Sequence, residues 1–132
     1  MVKVLDACAL IVYLEKKSGY EKIKDLFVKA VESEKNVLMT TVNWGEVFYI
    51  LVREYGIGEA EKIQRIIETF PIDFIAVDVL LAKQAALYKS AKKLPYADCF
   101  AAALAKLHRG EVVTCDMDFK ELENEIKISW IL

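Results

Sequence analysis

Short runs of β-branched and other apolar residues alternate along this chain with segments of helical periodicity, and this alternation constrains the fold more than any other feature. Five apolar runs are predicted to be strands: Val2–Leu5, Val37–Met39, Phe74–Val77, Val112–Val113 and Ile126–Ile131. Between them, apolar residues recur every three or four positions, as in the segment 23–31. Strands that alternate with helices predict an α/β fold, with a doubly wound, mainly parallel sheet that helices cover on both faces.

The whole chain, residues 1–132, is predicted to form one domain, because its length suits a single core and no linker or repeat divides it. No apolar run approaches the roughly 18 residues of a membrane span, and the N-terminus lacks the pattern of a signal peptide. The three cysteines, Cys8, Cys99 and Cys115, are too few for a disulfide framework and are expected to pack as small apolar residues. These features predict a cytoplasmic protein that does not contact a membrane.

Four acidic residues occupy positions that converge in a fold of this kind. Asp6 and Asp116 stand at the ends of predicted strands, whereas Glu46 and Asp98 lie in the first turns of predicted helices. Ligands of doubly wound sheets bind beyond the carboxyl ends of the strands. We therefore expect these four carboxylates to lie together at one edge of the sheet.

Two of these acids also have a purely structural interpretation. Asp6 suits the N-cap of a helix, because its side chain can accept a hydrogen bond from the first turn. Glu46 fits the glutamate position of a capping box in which Asn43 opens the helix Asn43–Tyr55. Taken one at a time, neither residue indicates a functional site.

Asp98 and Asp116 are harder to explain by structure alone. Asp98 lies about one turn inside the helix that Pro95 opens, on an alanine-rich face typical of packing against a sheet, where a charge needs a partner. Asp116 suits a turn, but the start of the next helix is better explained by a capping box of Asp118 and Glu121. Asp118 is therefore assigned to structure and Asp116 to the site.

The chemistry of four clustered carboxylates points to a metal. Such groups repel one another and raise one another's pKa unless cations lie between them. Ligands that are all oxygen favour Mg²⁺ or Mn²⁺ over zinc, and the single histidine, His108, has no partner in a zinc-binding spacing. The formal net charge of −2 does not indicate a basic nucleic-acid-binding surface, although cations bound to four acids would leave a small positive excess.

Four segments together carry a resemblance to a known family: Val4–Ala7, Asn43–Val47, Leu94–Asp98 and Thr114–Phe119. In this order and spacing, the chain resembles PIN-domain nucleases over its whole length, in particular the VapC-like toxins of toxin–antitoxin pairs. The resemblance implies a Mg²⁺- or Mn²⁺-dependent endoribonuclease that forms a homodimer and is inhibited by an antitoxin protein. By analogy, the catalytic and metal-binding acids are Asp6, Glu46, Asp98 and Asp116.

The resemblance also gives expectations for neighbouring residues. A threonine such as Thr114 often accompanies the last acid of the family, so its hydroxyl is expected to orient Asp116. Many relatives carry a serine or threonine shortly after the first aspartate, whereas this chain has Ala7 and Cys8 and so lacks a hydroxyl there. The four acids themselves match the pattern.

Two further pairs of residues each have two interpretations. Lys92 and Lys93 are typical of a solvated surface, and the alternative is that they contact RNA phosphates. Trp44 and Phe48 lie on a helix that is apolar nearly all round. Burial in the core and a surface for a dimer or antitoxin partner both explain that helix, and the sequence leaves both open.

Three other functions are compatible with parts of this pattern. A PIN nuclease that processes RNA without an antitoxin would carry the same residues. A phosphorylated receiver module shares the sheet and the acidic Mg²⁺ site but needs paired acids after the first strand, where Asp6 stands alone. A catalytically inactive PIN fold that serves only for binding is disfavoured, because all four acids are present.

Overall fold

The computed structural model describes residues 1–132 and contains one five-stranded sheet in which all strands are parallel. The strands are β1 (Lys3–Leu5), β2 (Val37–Thr40), β3 (Ile72–Ile75), β4 (Glu111–Thr114) and β5 (Lys127–Trp130). Their order across the sheet is β3-β2-β1-β4-β5. The predicted α/β class and parallel sheet are confirmed, although β3 lies two residues earlier than predicted.

Six α-helices and one 3-10 helix surround the sheet. The α-helices are α1 (Ala7–Leu14), α2 (Tyr20–Ser33), α3 (Thr41–Tyr55), α4 (Ile57–Ile67), α5 (Val79–Ala91) and α6 (Tyr96–Leu107), and the 3-10 helix is Met117–Leu122. The first four helices share one buried core with the sheet, and α5, α6 and the 3-10 helix share a second core. No helix combines the length and the apolar composition that crossing a membrane requires.

The two central strands show why both faces of the sheet are covered. Side chains alternate between the faces of a strand, so Val4 of β1 and Val112 of β4 belong to the core of α5 and α6. Leu5 and Val113 belong to the core of the first four helices. Because Val4 pairs with Val112 and Leu5 pairs with Val113, β1 and β4 end side by side.

Two helix starts differ from the sequence prediction. Helix α3 begins at Thr41, and its N-cap is Thr40, whose hydroxyl accepts a hydrogen bond from the backbone N–H of Asn43. Glu46 therefore lies inside the helix and is not part of a capping box. The capping box predicted at Asp118 is also wrong: Asp116 is the N-cap of the 3-10 helix, and its side chain accepts from the N–H of Asp118.

Candidate active site

Asp6 and Asp116 stand at the point where the order of the strands reverses. Asp6 follows β1 directly, and Asp116 follows the neighbouring strand β4 after one intervening residue. The chain passes from β3 on one side of β1 to β4 on the other side, which makes this edge the topological switch point of the sheet. Crevices at such points are the usual ligand sites of doubly wound folds.

Asp6 is completely buried, and the protein supplies hydrogen bonds to both of its carboxylate oxygens. Oδ1 accepts from the N–H of Ala9 at 2.8 Å, which makes Asp6 the N-cap of α1. Oδ2 accepts from the hydroxyl of Thr114. The same Thr114 oxygen accepts from the backbone N–H of Asp116 at 2.9 Å, so one hydroxyl links the segments that carry the two acids.

A disulfide between Cys8 and Cys115 joins the same two segments. The Cα atoms of the pair are 6.1 Å apart, whereas the two residues are 107 positions apart in the sequence. The expectation that all three cysteines pack as unpaired apolar residues is therefore wrong for this pair and holds for Cys99, which is free and buried. The reason is the β1–β4 pairing, which brings the residues that follow these strands together.

Glu46 and Asp98 reach the site from two helices. Glu46 lies in α3, and one of its carboxylate oxygens, Oε1, is buried without a hydrogen-bond partner. Asp98 lies in the first turn of α6 and is only 7% exposed. The side chain of Asn43 links these helices by donating from Nδ2 to the carbonyl of Ala97 at 3.0 Å.

The four acids are close enough to perturb one another electrostatically. Burial first, and then the charges of Asp116, Asp6 and Glu46, together raise the pKa of Asp98 to about 8. Burial also raises the pKa of Asp6 to about 7, against the lowering effect of the hydrogen bonds from Thr114 and Ala9. The pKa of Glu46 is raised as well, first by burial and then by Asp116. The structure thus brings all four predicted acids to one edge of the sheet.

Asp118 joins this cluster, which the sequence analysis did not predict. Carboxylate oxygens of Asp98, Asp116 and Asp118 all lie within 4.8 Å of one another. The charge of Asp116 is the main reason that the pKa of Asp118 is raised. The available signal was the spacing of two acids, two residues apart, after a strand. Asp118 was instead predicted to cap a helix, a role that Asp116 fills.

The donor set suits a divalent cation. Every side chain in the cluster offers oxygen, which is the ligand that Mg²⁺ and Mn²⁺ prefer. A buried carboxylate oxygen without a partner is costly, and a cation is one of the few groups that could satisfy Glu46 Oε1. The raised pKa values of Asp6 and Asp98 have the same cause, namely buried negative charge with too little compensation. The residues that could hold the metal are therefore Asp6, Glu46, Asp98 and Asp116, with Asp118 beside them.

The two other predicted pairs, Lys92 with Lys93 and Trp44 with Phe48, differ in their surroundings. Lys92 forms an ion pair with Glu125 at 3.1 Å, whereas the side chain of Lys93 is exposed and makes no ion pair. Trp44 and Phe48 are stacked with ring centroids 5.1 Å apart, and both are partly buried against the core of the first four helices. Core packing therefore accounts for part of their surface, and the rest is open to solvent.

Solved structures with the same fold include complexes of toxins with their antitoxins. DNA-bound VapBC from Salmonella typhimurium aligns with a TM-score of 0.74 and 16% identity, over 100% of this chain and 99% of that chain. A toxin–antitoxin complex from Klebsiella pneumoniae aligns with a TM-score of 0.71 and 16% identity, over 98% of each chain. VapC20 of Mycobacterium tuberculosis, a toxin that cleaves the sarcin–ricin loop, aligns with a TM-score of 0.66 and 16% identity, over 89% of this chain and 92% of that chain.

The sequence comparison identifies the family independently. No curated protein sequence matches this chain significantly. The profile of the PIN domain, however, matches residues 3–125, which is nearly the whole chain and includes every acid of the cluster. The parallel sheet of this chain and the acids at the switch point of the sheet agree with that match. The chain is a member of the PIN-domain family.

Proposed function

We propose that this protein is a Mg²⁺- or Mn²⁺-dependent endoribonuclease and the toxin of a toxin–antitoxin pair. The observation that carries the proposal is the group of buried carboxylates at the switch point, with Glu46 Oε1 left without a partner in the protein. Membership of the PIN family and a structural neighbour that is an RNA-cleaving toxin support the choice of reaction.

The residues of the chain would prepare the site in distinct ways. Asp6 is oriented before any ligand binds, because Thr114 and Ala9 hold both of its oxygens. Asp98 holds a proton near neutral pH and must release it to act as an anionic ligand. When bound, a divalent cation would supply a water of lowered pKa to attack the phosphorus and positive charge to stabilise the phosphate oxygens.

A cleavage assay on a panel of small RNAs tests the activity. We expect cleavage with Mn²⁺ or Mg²⁺ and none with EDTA. The Asp98→Asn variant should lose activity by about three orders of magnitude or more, because one charged ligand is removed from the metal site. Asp25→Asn is the matched control, since Asp25 is an exposed aspartate of α2 outside the cluster. Near-normal cleavage by pure Asp98→Asn protein would show that the assignment of this site is wrong.

Lys93 is the better of the two candidate RNA-binding lysines. Its side chain is free to contact a phosphate, whereas that of Lys92 is engaged by Glu125. We expect Lys93→Ala to raise the KM for RNA without changing cleavage at saturating RNA. Lys62→Ala, on the exposed surface of α4, should leave KM unchanged. Equal effects of the two substitutions would remove Lys93 from the RNA-binding surface.

We also propose an antitoxin that binds along α3 and reaches the acids with a cationic side chain, because an arginine fork pairs well with carboxylates. Leu51 and Tyr55, which follow Trp44 and Phe48 along α3, line an apolar groove together with Phe70 and other residues. The test is co-purification with the product of a small neighbouring gene. Inhibition of cleavage by the antitoxin should weaken as the Mn²⁺ concentration rises. Trp44→Ala should lower the affinity of the complex more than it reduces cleavage. A complex insensitive to both changes would refute this docking mode. Cleavage without any such partner gene would favour an RNA-processing nuclease instead.

A homodimer is proposed because two helices of the single chain leave large apolar side chains exposed. Val79, Leu80 and Leu87 of α5 are 84%, 62% and 54% exposed, and Tyr49 of α3 is 54% exposed. Surfaces of this kind mark contacts between proteins. Light scattering at micromolar concentration should give the mass of a dimer, and a monomer mass would contradict the proposal.

A further inference from the structure

The amide side chain of Asn43 is completely buried between α3 and α6, and its hydrogen-bond partners are residues at the ends of elements that carry the acids. Its Oδ1 accepts from the hydroxyl of Thr40, and its Nδ2 donates to the carbonyl of Ala97 at 3.0 Å. A buried amide is costly unless its polar atoms are bonded, so this arrangement holds the side chain in one orientation. Only the NH₂ group of the amide can donate to the carbonyl of Ala97, so Nδ2 faces Ala97 and Oδ1 faces Thr40.

The Thr40 end of this arrangement is anchored to the sheet. Thr40 is the last residue of β2 and the N-cap of α3, and its hydroxyl oxygen accepts from the N–H of Asn43 at 3.0 Å. Thr40 therefore accepts from the backbone of Asn43 and donates to its side chain. The end of β2, the first turn of α3 and the first turn of α6 are connected by this chain of three hydrogen bonds.

The position of the bridge relates it to the acids. Asn43 lies one helical turn before Glu46, and Ala97 immediately precedes Asp98. No other side-chain hydrogen bond joins α3 to α6. The two acids that come from helices have no hydrogen bond to each other, so their own side chains do not fix the distance between them. The one side-chain hydrogen bond between α3 and α6 thus lies one turn away from Glu46 and one residue away from Asp98.

We propose that Asn43 is a positioning residue that sets the distance between Glu46 and Asp98, so that both carboxylates can hold the same cation. This inference rests on the proposed metal-dependent function. Asn43 touches neither metal nor substrate and acts through the bond to Ala97. Without this bond, no side-chain hydrogen bond fixes the first turn of α6 against α3, the two carboxylates are held less well in place, and the metal then binds more weakly.

The test measures Mn²⁺ affinity by titration calorimetry in the absence of RNA, together with the melting temperature of each variant. Asn43→Ala is expected to weaken Mn²⁺ binding about tenfold, which is the size of effect that one directed hydrogen bond can have. The Mn²⁺ concentration for half-maximal RNA cleavage should rise by the same factor, while KM for RNA at saturating Mn²⁺ stays unchanged. If Asn43→Ala does not fold, Asn43→Ser provides the same test, because a serine hydroxyl is too short to reach Ala97.

Two control variants separate positioning from a general loss of stability. Asn36→Ala removes an asparagine whose Nδ2 bonds to Asp73 at 2.9 Å away from the acids, and Ile67→Val loosens a buried site in α4. Both should bind Mn²⁺ like the wild-type protein. Wild-type affinity in Asn43→Ala, or an equal loss in Ile67→Val, would overturn the proposal while the metal-dependent function stands. A wild-type protein that binds no Mn²⁺ would overturn both.

Discussion

The acidic site has two halves that are held in different ways. The strand-end half carries Asp6 and Asp116, and a hydroxyl and a disulfide tie its two segments together. The helix half carries Glu46 and Asp98, and one side-chain hydrogen bond, from Asn43, connects its two helices. The strand-end half is thus fixed by several bonds, and the helix half by one.

The pKa values reflect the same difference. Asp6 is more completely buried than Asp98, yet its pKa is raised only to about 7, against about 8 for Asp98. One cause is that Thr114 and Ala9 donate hydrogen bonds to Asp6 and stabilise its charged form. No protein N–H or hydroxyl group does this for Asp98. A second cause is that the charges of Asp116, Asp6 and Glu46 raise the pKa of Asp98. The ionised form of Asp98, in the helix half, is therefore stabilised less by the protein than that of Asp6 and would gain more from a nearby cation.

The largest effect should come from removing the disulfide of the strand-end half. A bond between residues 107 positions apart restricts the unfolded chain strongly, so replacing Cys8 and Cys115 by Ala should lower the free energy of unfolding by about 4–5 kcal/mol. Urea denaturation measures this change. Dithiothreitol should destabilise the wild-type protein by a similar amount and leave the double variant unaffected. If dithiothreitol has no effect on the stability of the wild-type protein, the disulfide does not stabilise the strand-end half.

A smaller effect of opposite sign is expected for Asp98→Asn in the helix half. Because the pKa of Asp98 is raised to about 8 in the folded protein, the folded state keeps a proton that the unfolded state loses from about pH 4 upwards. Without metal, the stability of the wild-type protein should therefore fall as the pH rises from about 4 to about 8.

The stability of the Asp98→Asn variant should fall less over this range. At pH 9 in EDTA its free energy of unfolding should exceed that of the wild-type protein by about 2 kcal/mol, which is less than the full pKa shift would give because solvent screens the charge at the open site. The difference should vanish below about pH 4, where both side chains are neutral. Melting curves across the pH range provide the measurement, with Asp25→Asn as the control. Identical pH profiles for Asp98→Asn and the wild-type protein would mean that burial does not perturb this carboxyl group.

The smallest effect is expected for Thr114→Val, which keeps the shape of a buried side chain and removes its hydroxyl. Asp6 and the backbone of Asp116 would each lose one hydrogen bond, and the free energy of unfolding should fall by about 1–2 kcal/mol. The pKa of Asp6 should rise towards that of Asp98, which carbon-13 NMR of the carboxyl groups can follow. If the pKa of Asp6 does not move, the hydroxyl is not the reason that the two halves differ.

The sequence alone determined the fold class and the candidate acids. Apolar periodicity is a local property, so five strands and several of the helices between them could be predicted, and β3 was misplaced by only two residues. The predicted acids follow strands or open helices, and general rules for doubly wound sheets bring such positions to one edge. Asp118 was misassigned because two acids two residues apart compete for one cap, and their backbone geometry decides which of them fills it.

The tertiary structure decided how the acids are held. The Thr114–Asp6 bond and the Cys8–Cys115 disulfide join residues more than 100 positions apart, and both depend on the pairing of β1 with β4. The bond from Asn43 to Ala97 depends on how α3 lies against α6. Each of these contacts requires two distant segments to meet in a specific register. Local residue patterns carry no information about that register, whereas the packing of the sheet and helices sets it.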